Sequence, residues 1–116
     1  MCHVLVIEDD FLIADHIIQL IESAGGTSFD QAATQDEAIR AARAMPPSII
    51  MSDVNLLIGT GPAAVRAIIA EHGPTPVIFV TGSPDAYRLC NTSAIILQKP
   101  INERVLVDTF RDLAPT

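Results

Sequence analysis

Cysteine, aromatic residues and positive charge are all scarce in this sequence, and each shortage excludes something. The two cysteines, Cys2 and Cys90, belong to no CxxC or CxxH pairing. Neither a disulfide framework nor a structural zinc site is expected; free thiols in a reducing compartment fit instead. Seven basic residues against fourteen acidic ones give a net charge of −7. With no basic stripe to release counterions from a phosphate backbone, nucleic acid is excluded as a direct partner. Aromatics make up 4% of a chain that is 49% hydrophobic, a composition suited to an aliphatic interior. No apolar run approaches the ~20 residues of a membrane span. Glu8, Asp9 and Asp10 interrupt the first apolar stretch, so no signal peptide is expected. We therefore expect a soluble, cytoplasmic protein with no membrane partner. Its 116 residues suit one domain over 1–116, able to bury a core without staples.

Against these absences stand four short apolar runs, Val4–Ile7, Ile49–Met51, Val77–Val80 and Ile95–Leu97. They lead into Glu8-Asp9-Asp10, Ser52-Asp53, Thr81-Gly82 and Gln98-Lys99-Pro100 respectively. Apolar runs bounded by polar or turn residues read as buried strands. Between them lie helical patterns: Phe11–Ala24 capped by Asp10, Ala-rich Gln35–Ala44 ended by Pro46-Pro47, a helix from Pro62 to about His72, and a last one capped by Asn102 with Leu106, Phe110 and Leu113 inward. A weaker strand near Ser28–Ala32, with Phe29 as its one large apolar residue, suits a sheet edge. Between Thr81 and Ala94 there is room only for a shortened fourth helix near Asp85–Cys90. This alternation predicts an α/β fold: a doubly wound, five-stranded parallel sheet covered on both faces, with strand order 2-1-3-4-5 given right-handed crossovers.

In such a sheet, ligands bind outside the carboxyl ends of the strands, where all the capable groups gather. Glu8, Asp9 and Asp53 would crowd three carboxylates together at the switch point, which raises pKa values unless a cation intervenes. Mg2+ with one or two carboxylates plus water is the usual resolution. Lys99 supplies a mobile point charge for a phosphate oxygen, Thr81 a hydroxyl, and Gly82 a backbone open to an anion. Together they describe a phosphoryl-transfer site, where positioning and charge neutralisation carry the catalysis. Gly59 and Gly61 form no phosphate-binding loop, and His3, His16 and His72 share no ligand spacing.

From the first strand to the last helix the chain resembles the receiver domains of two-component response regulators, the CheY-like family. The resemblance implies that Asp53 is the phospho-acceptor and that Asp9 is a direct Mg2+ ligand. Glu8 would hold the cation through a water, and Asn55 would give it its backbone carbonyl. Thr81 would be the switch hydroxyl and Lys99, before Pro100, the phosphate-binding lysine, with a Lys–Pro bond that is often cis in the family. Phe79-Val80-Thr81-Gly82 and Ile96-Leu97-Gln98-Lys99-Pro100 look like a bacterial branch, the alphaproteobacterial stand-alone receivers, although Ser83 and Pro84 replace that branch's apolar residue and Tyr. The implied role is a single-domain response regulator. It accepts a phosphoryl group from a sensor histidine kinase or phosphotransfer protein and acts by protein contact or as a phosphate sink. It is a phosphoprotein rather than an enzyme with a separate substrate.

Two departures stand out. Ile96 occupies the place of the family's usual aromatic, and the Thr81–Lys99 interval is short. We therefore expect phosphorylation to be reported by the segment from Gly82 to Arg88, around Tyr87. The resemblance further implies that Asn55 and Ser83 line the approach of the hydrolytic water. The rival readings are an unphosphorylated pseudo-receiver that acts as a binding module, and an aspartyl-nucleophile phosphohydrolase. The latter usually carries Asp-x-Asp where this chain has Glu8-Asp9-Asp10, and needs a cap that 116 residues do not accommodate.

Overall fold

The structure, a computed structural model, describes residues 2–82 and 95–114. In chain order it contains β1 (His3–Ile7), α1 (Phe11–Ser23), β2 (Ser28–Ala32), α2 (Gln35–Ala44), β3 (Ile49–Ser52), α3 (Gly61–His72), β4 (Val77–Thr81), β5 (Ile95–Gln98) and a last helix, α4 (Glu103–Leu113). The five strands form one parallel sheet in the order β2-β1-β3-β4-β5, as the alternation of patterns predicts. Strands and helices fall within one or two residues of their expected bounds. The short helix expected near Asp85–Cys90, together with Ser83, Tyr87 and Cys90, lies outside the described residues.

The alternation of side chains along each strand divides the core in two. Leu5, Ile7, Ile50 and Phe79 face α2 and α3, where Ala38, Ala42, Val65 and Ile68 meet them. Val4, Val6, Met51, Ile78 and Val80 face α1 and α4, against Ala14, Ile17, Ile21, Leu106 and Phe110. The central strands are apolar on both faces because both faces are covered. The edges differ: β2 has one fully buried residue, Ala32, and Ile95 of β5 is exposed. His3 is largely enclosed and ties β1 to this polar edge, with Nδ1 2.7 Å from Ser28 Oγ and Nε2 2.9 Å from Asp30 Oδ2.

Local signals place the helix starts. Asp10 accepts from the amides of Leu12 and Ile13, Thr34 from Glu37, Thr60 from Ala63 and Asn102 from Val105, each satisfying an otherwise orphaned N–H. Each such cap contributes about 1 kcal/mol. Pro62 lies in the first turn of α3, where its missing N–H costs nothing. Gly73, at φ 94, closes the same helix with its N–H on Ile69 O.

Candidate functional site

The carboxyl ends of β1, β3, β4 and β5 meet at one edge of the sheet and bring the expected side chains there. Parallel pairing holds the backbones: Asp53 N–H donates to Ile7 O at 2.9 Å, Glu8 N–H to Ala32 O at 2.9 Å, and Lys99 N–H to Thr81 O at 2.9 Å. Glu8, Asp9 and Asp53 each present a carboxylate oxygen within 4.8 Å of the others. Lys99 Nζ donates to Glu8 Oε1 at 2.9 Å and to Asp53 Oδ2 at 3.0 Å. Thr81 is buried at the end of β4, and the Lys99–Pro100 bond is cis, the isomer that the Lys-Pro sequence makes accessible. Asn55 is exposed on the loop that follows β3.

The three carboxylates differ in circumstance. Glu8 is 2% exposed and engaged on both oxygens, by Lys99 and by the Asp10 amide at 3.1 Å. Burial pushes its carboxyl above the ordinary value, against the pull of Lys99 and the Asp10 amide and with a further push from Asp53. Asp53 accepts the Val54 amide on Oδ1 at 2.7 Å and Lys99 on Oδ2. Asp9, partly exposed like Asp53, takes the Leu57 amide on Oδ2 at 2.7 Å. Burial alone would lower the Lys99 ammonium. Its bonds to Glu8 and Asp53 outweigh that and hold it above its usual range, so it is a fixed cation at neutral pH. Three carboxylates against one ammonium leave an excess of negative charge and a set of hard oxygen donors. That donor set fits a hard divalent cation.

Several contributors are invisible in the sequence because they are backbone groups: the amides of Asp10, Val54 and Leu57. Ser52 is another. Its buried hydroxyl donates to Asp53 O at 2.7 Å in space left by Gly61, where a Cβ would stand 2.4 Å from Ser52 Oγ and 1.8 Å from Asp53 O.

This is a doubly wound α/β protein of flavodoxin-like strand order, with an acidic cluster and one lysine at its switch point. The chain belongs to the response regulator receiver domain family, whose sequence profile matches residues 4–111. It is 34% identical over 86 residues to the phyllosphere-induced regulator PhyR of Methylorubrum extorquens, an alignment that takes in 72% of this chain and 32% of that protein. The chain therefore spans about a third of that relative's length. The solution structure of the Erythrobacter litoralis PhyR receiver domain is similar at a TM-score of 0.86 and 27% identity, over 99% of this chain and 95% of that one. Vibrio cholerae chemotaxis protein CheY4 is similar at 0.86 and 27%, over 97% and 98%. Among the described residues no helix is long and apolar enough to cross a membrane.

Proposed function

We propose that residues 1–116 form a phospho-receiver domain in which Asp53 accepts a phosphoryl group from the phosphohistidine of a sensor kinase or phosphotransfer protein. The observation that carries this reading is Asp53 itself: a carboxylate at the end of a central strand, bonded to Lys99 and flanked by two further carboxylates. One Asp53 oxygen attacks phosphorus and the P–N bond breaks. The electron pair leaves with the donor imidazole, and an acyl phosphate remains. Lys99, already 3.0 Å from Asp53 Oδ2, follows the incoming phosphoryl oxygens, and the Thr81 hydroxyl at the neighbouring strand end donates to another of them. Hydrolysis returns the carboxylate when water attacks phosphorus and the Asp53–phosphorus bond breaks.

Mg2+ is the cation we assign to the acidic cluster, where it would neutralise charge developing on the phosphoryl oxygens. Asp9 and Asp53 would hold it directly and Asn55 through its backbone carbonyl. Glu8, with both oxygens already engaged, would act through a water. The phosphorylated protein then acts by contact with another cytoplasmic protein or serves as a phosphate sink. A binding module that works without phosphorylation is the second reading. It rests on Ile96, which packs against the core in the position from which an aromatic ring would report the switch.

Incubation with Mg2+ and acetyl phosphate, read by intact mass, distinguishes the two. One added phosphoryl group that is lost on mild hydrolysis and absent from Asp53→Asn supports the receiver reading. An unmodified wild type, or an Asp53→Asn protein labelled to the same extent, rejects it.

A further inference from the structure

The loop that leaves Asp53 is held at two points by residues distant in sequence. On one side Gln35, the first residue of α2, donates its backbone N–H to Ile58 O at 3.3 Å and accepts the Thr60 N–H on Oε1 at 3.2 Å. Gly59 lies between those two contacts at φ 81, and a Cβ there would stand 2.5 Å from Gln35 Cβ. The loop backbone thus packs directly on Gln35. Asn55 and Thr60 close the base of the loop in an antiparallel bridge. On the other side the Leu57 N–H donates to Asp9 Oδ2 at 2.7 Å. The four residues from Leu57 to Thr60 therefore run between a carboxylate of the acidic cluster and the start of α2.

Burial anchors the near end of the loop, where Leu56 packs against the core, but does little to order Leu57 and Ile58. Leu57 is 87% exposed and Ile58 67%, so their side chains contribute little packing, and loops with few buried contacts open at low cost. The order of that part of the loop rests on its polar contacts, and those at its far side come from one residue. We propose that Gln35 is a positioning residue for the acidic site. It clamps residues 58–60 so that the Leu57 amide is presented to Asp9. The consequence for Mg2+ rests on the reading of that cluster as a divalent-cation centre. Without the clamp, the cation must order the loop as it binds, and apparent affinity falls by the fraction of molecules in which the loop is in place.

The test uses the full chain, with Mg2+ alone as the probe, and two readouts. Titration of wild type, Gln35→Ala, Gln35→Glu and Thr34→Ala gives four affinities. Gln35→Ala should bind Mg2+ ~3–10-fold more weakly, the range expected for losing about one neutral hydrogen bond. Gln35→Glu keeps an acceptor oxygen in an isosteric side chain and should restore affinity. Thr34→Ala removes the adjacent helix cap, a comparable loss of stability at the same helix end, and should bind like wild type. In the metal-free protein, amide exchange at Leu57 should be several-fold faster in Gln35→Ala than in wild type. Unchanged exchange at Leu57 overturns the clamp, however the titration falls. So does a Thr34→Ala protein weakened as much as Gln35→Ala, because the effect would then belong to the helix end. A wild type that ignores Mg2+ rejects the metal reading of the cluster, and the exchange measurement alone then judges the clamp.

Discussion

Lys99 is the only cation that the structure bonds to the acidic cluster among the described residues, and it is shared between Glu8 and Asp53. Its removal leaves two mostly enclosed carboxylates facing each other, a Glu8 that is 2% exposed and an Asp53 side chain that is 11% exposed. Breaking a fully buried pair costs about 3–5 kcal/mol. Lys99 keeps 20% of its side chain exposed, and water reaching that end reduces the cost to about 1–3 kcal/mol. In EDTA, Lys99→Ala should therefore melt several degrees below wild type. Mg2+ should restore more stability to the variant than to wild type, since the cation no longer competes with an ammonium for the same oxygens. Its phosphoryl transfer should nevertheless stay impaired, because the charge that follows the phosphoryl group is gone. A variant whose melting responds to Mg2+ no more than wild type does would show that Lys99 and the cation do not share ligands.

Among the elements, α3 is the one seated most directly on the acceptor. Gly61 starts it, and a Cβ there would meet Asp53 O at 1.8 Å and Ser52 Oγ at 2.4 Å. Both contacts are with groups locked by the sheet or by hydrogen bonds, so the helix must retract. Gly61→Ala should cost about 1–3 kcal/mol in urea denaturation, the usual range for overpacking. Ser52→Ala, which removes a hydroxyl and adds no atoms, should cost only about 1 kcal/mol. Equal stability of Gly61→Ala and wild type would mean that α3 slides freely over the end of β3. The same elements show what was legible in the sequence. β1, β3 and β4 could be read because they are buried on both faces and so carry uninterrupted apolar runs. Phe29 alone among Ser28, Asp30 and Gln31 marked β2 as an edge. Side-chain carboxylates at strand ends announced Glu8, Asp9 and Asp53, and the proline after Lys99 marked the end of β5. The hold of Gln35 on residues 58–60 left no trace, because its partners are backbone atoms of residues brought near only by the crossover between β2 and β3. His3 was equally silent, since its bonds to Ser28 and Asp30 depend on the register of β1 against β2. The segment expected to report phosphorylation, from Ser83 onward, lies outside the described residues.

For the molecule as a whole, the acidic edge sets how stability depends on pH. Glu8 titrates above its ordinary value of 4.5 in the fold. The fold therefore favours its protonated form, and its contribution is fully present below 4.5 and lost as pH rises through the raised value. Lys99 titrates above its ordinary 10.5, so its contribution persists through neutrality and is lost only as pH climbs past that region. Glu71, held below 4.5 by Arg43, contributes above 4.5 and loses its share only as pH falls through its lowered value. Of these three groups only Glu8 is shifted in the sense that makes stability rise as pH falls from neutrality toward 4.5. The metal-free protein should thus gain stability on going from pH 7 to pH 5. The chain carries a net charge of −7, and its self-repulsion also changes with pH, so the informative quantity is the difference between wild type and Glu8→Gln. Wild type should gain more than the variant in EDTA. Saturating Mg2+, which favours ionised carboxylates, should shrink or reverse that difference. Parallel stability profiles for the two proteins in EDTA would mean that water or a shift of Lys99 relieves Glu8 at neutral pH, and that the cost of holding the carboxylates together falls elsewhere in the site.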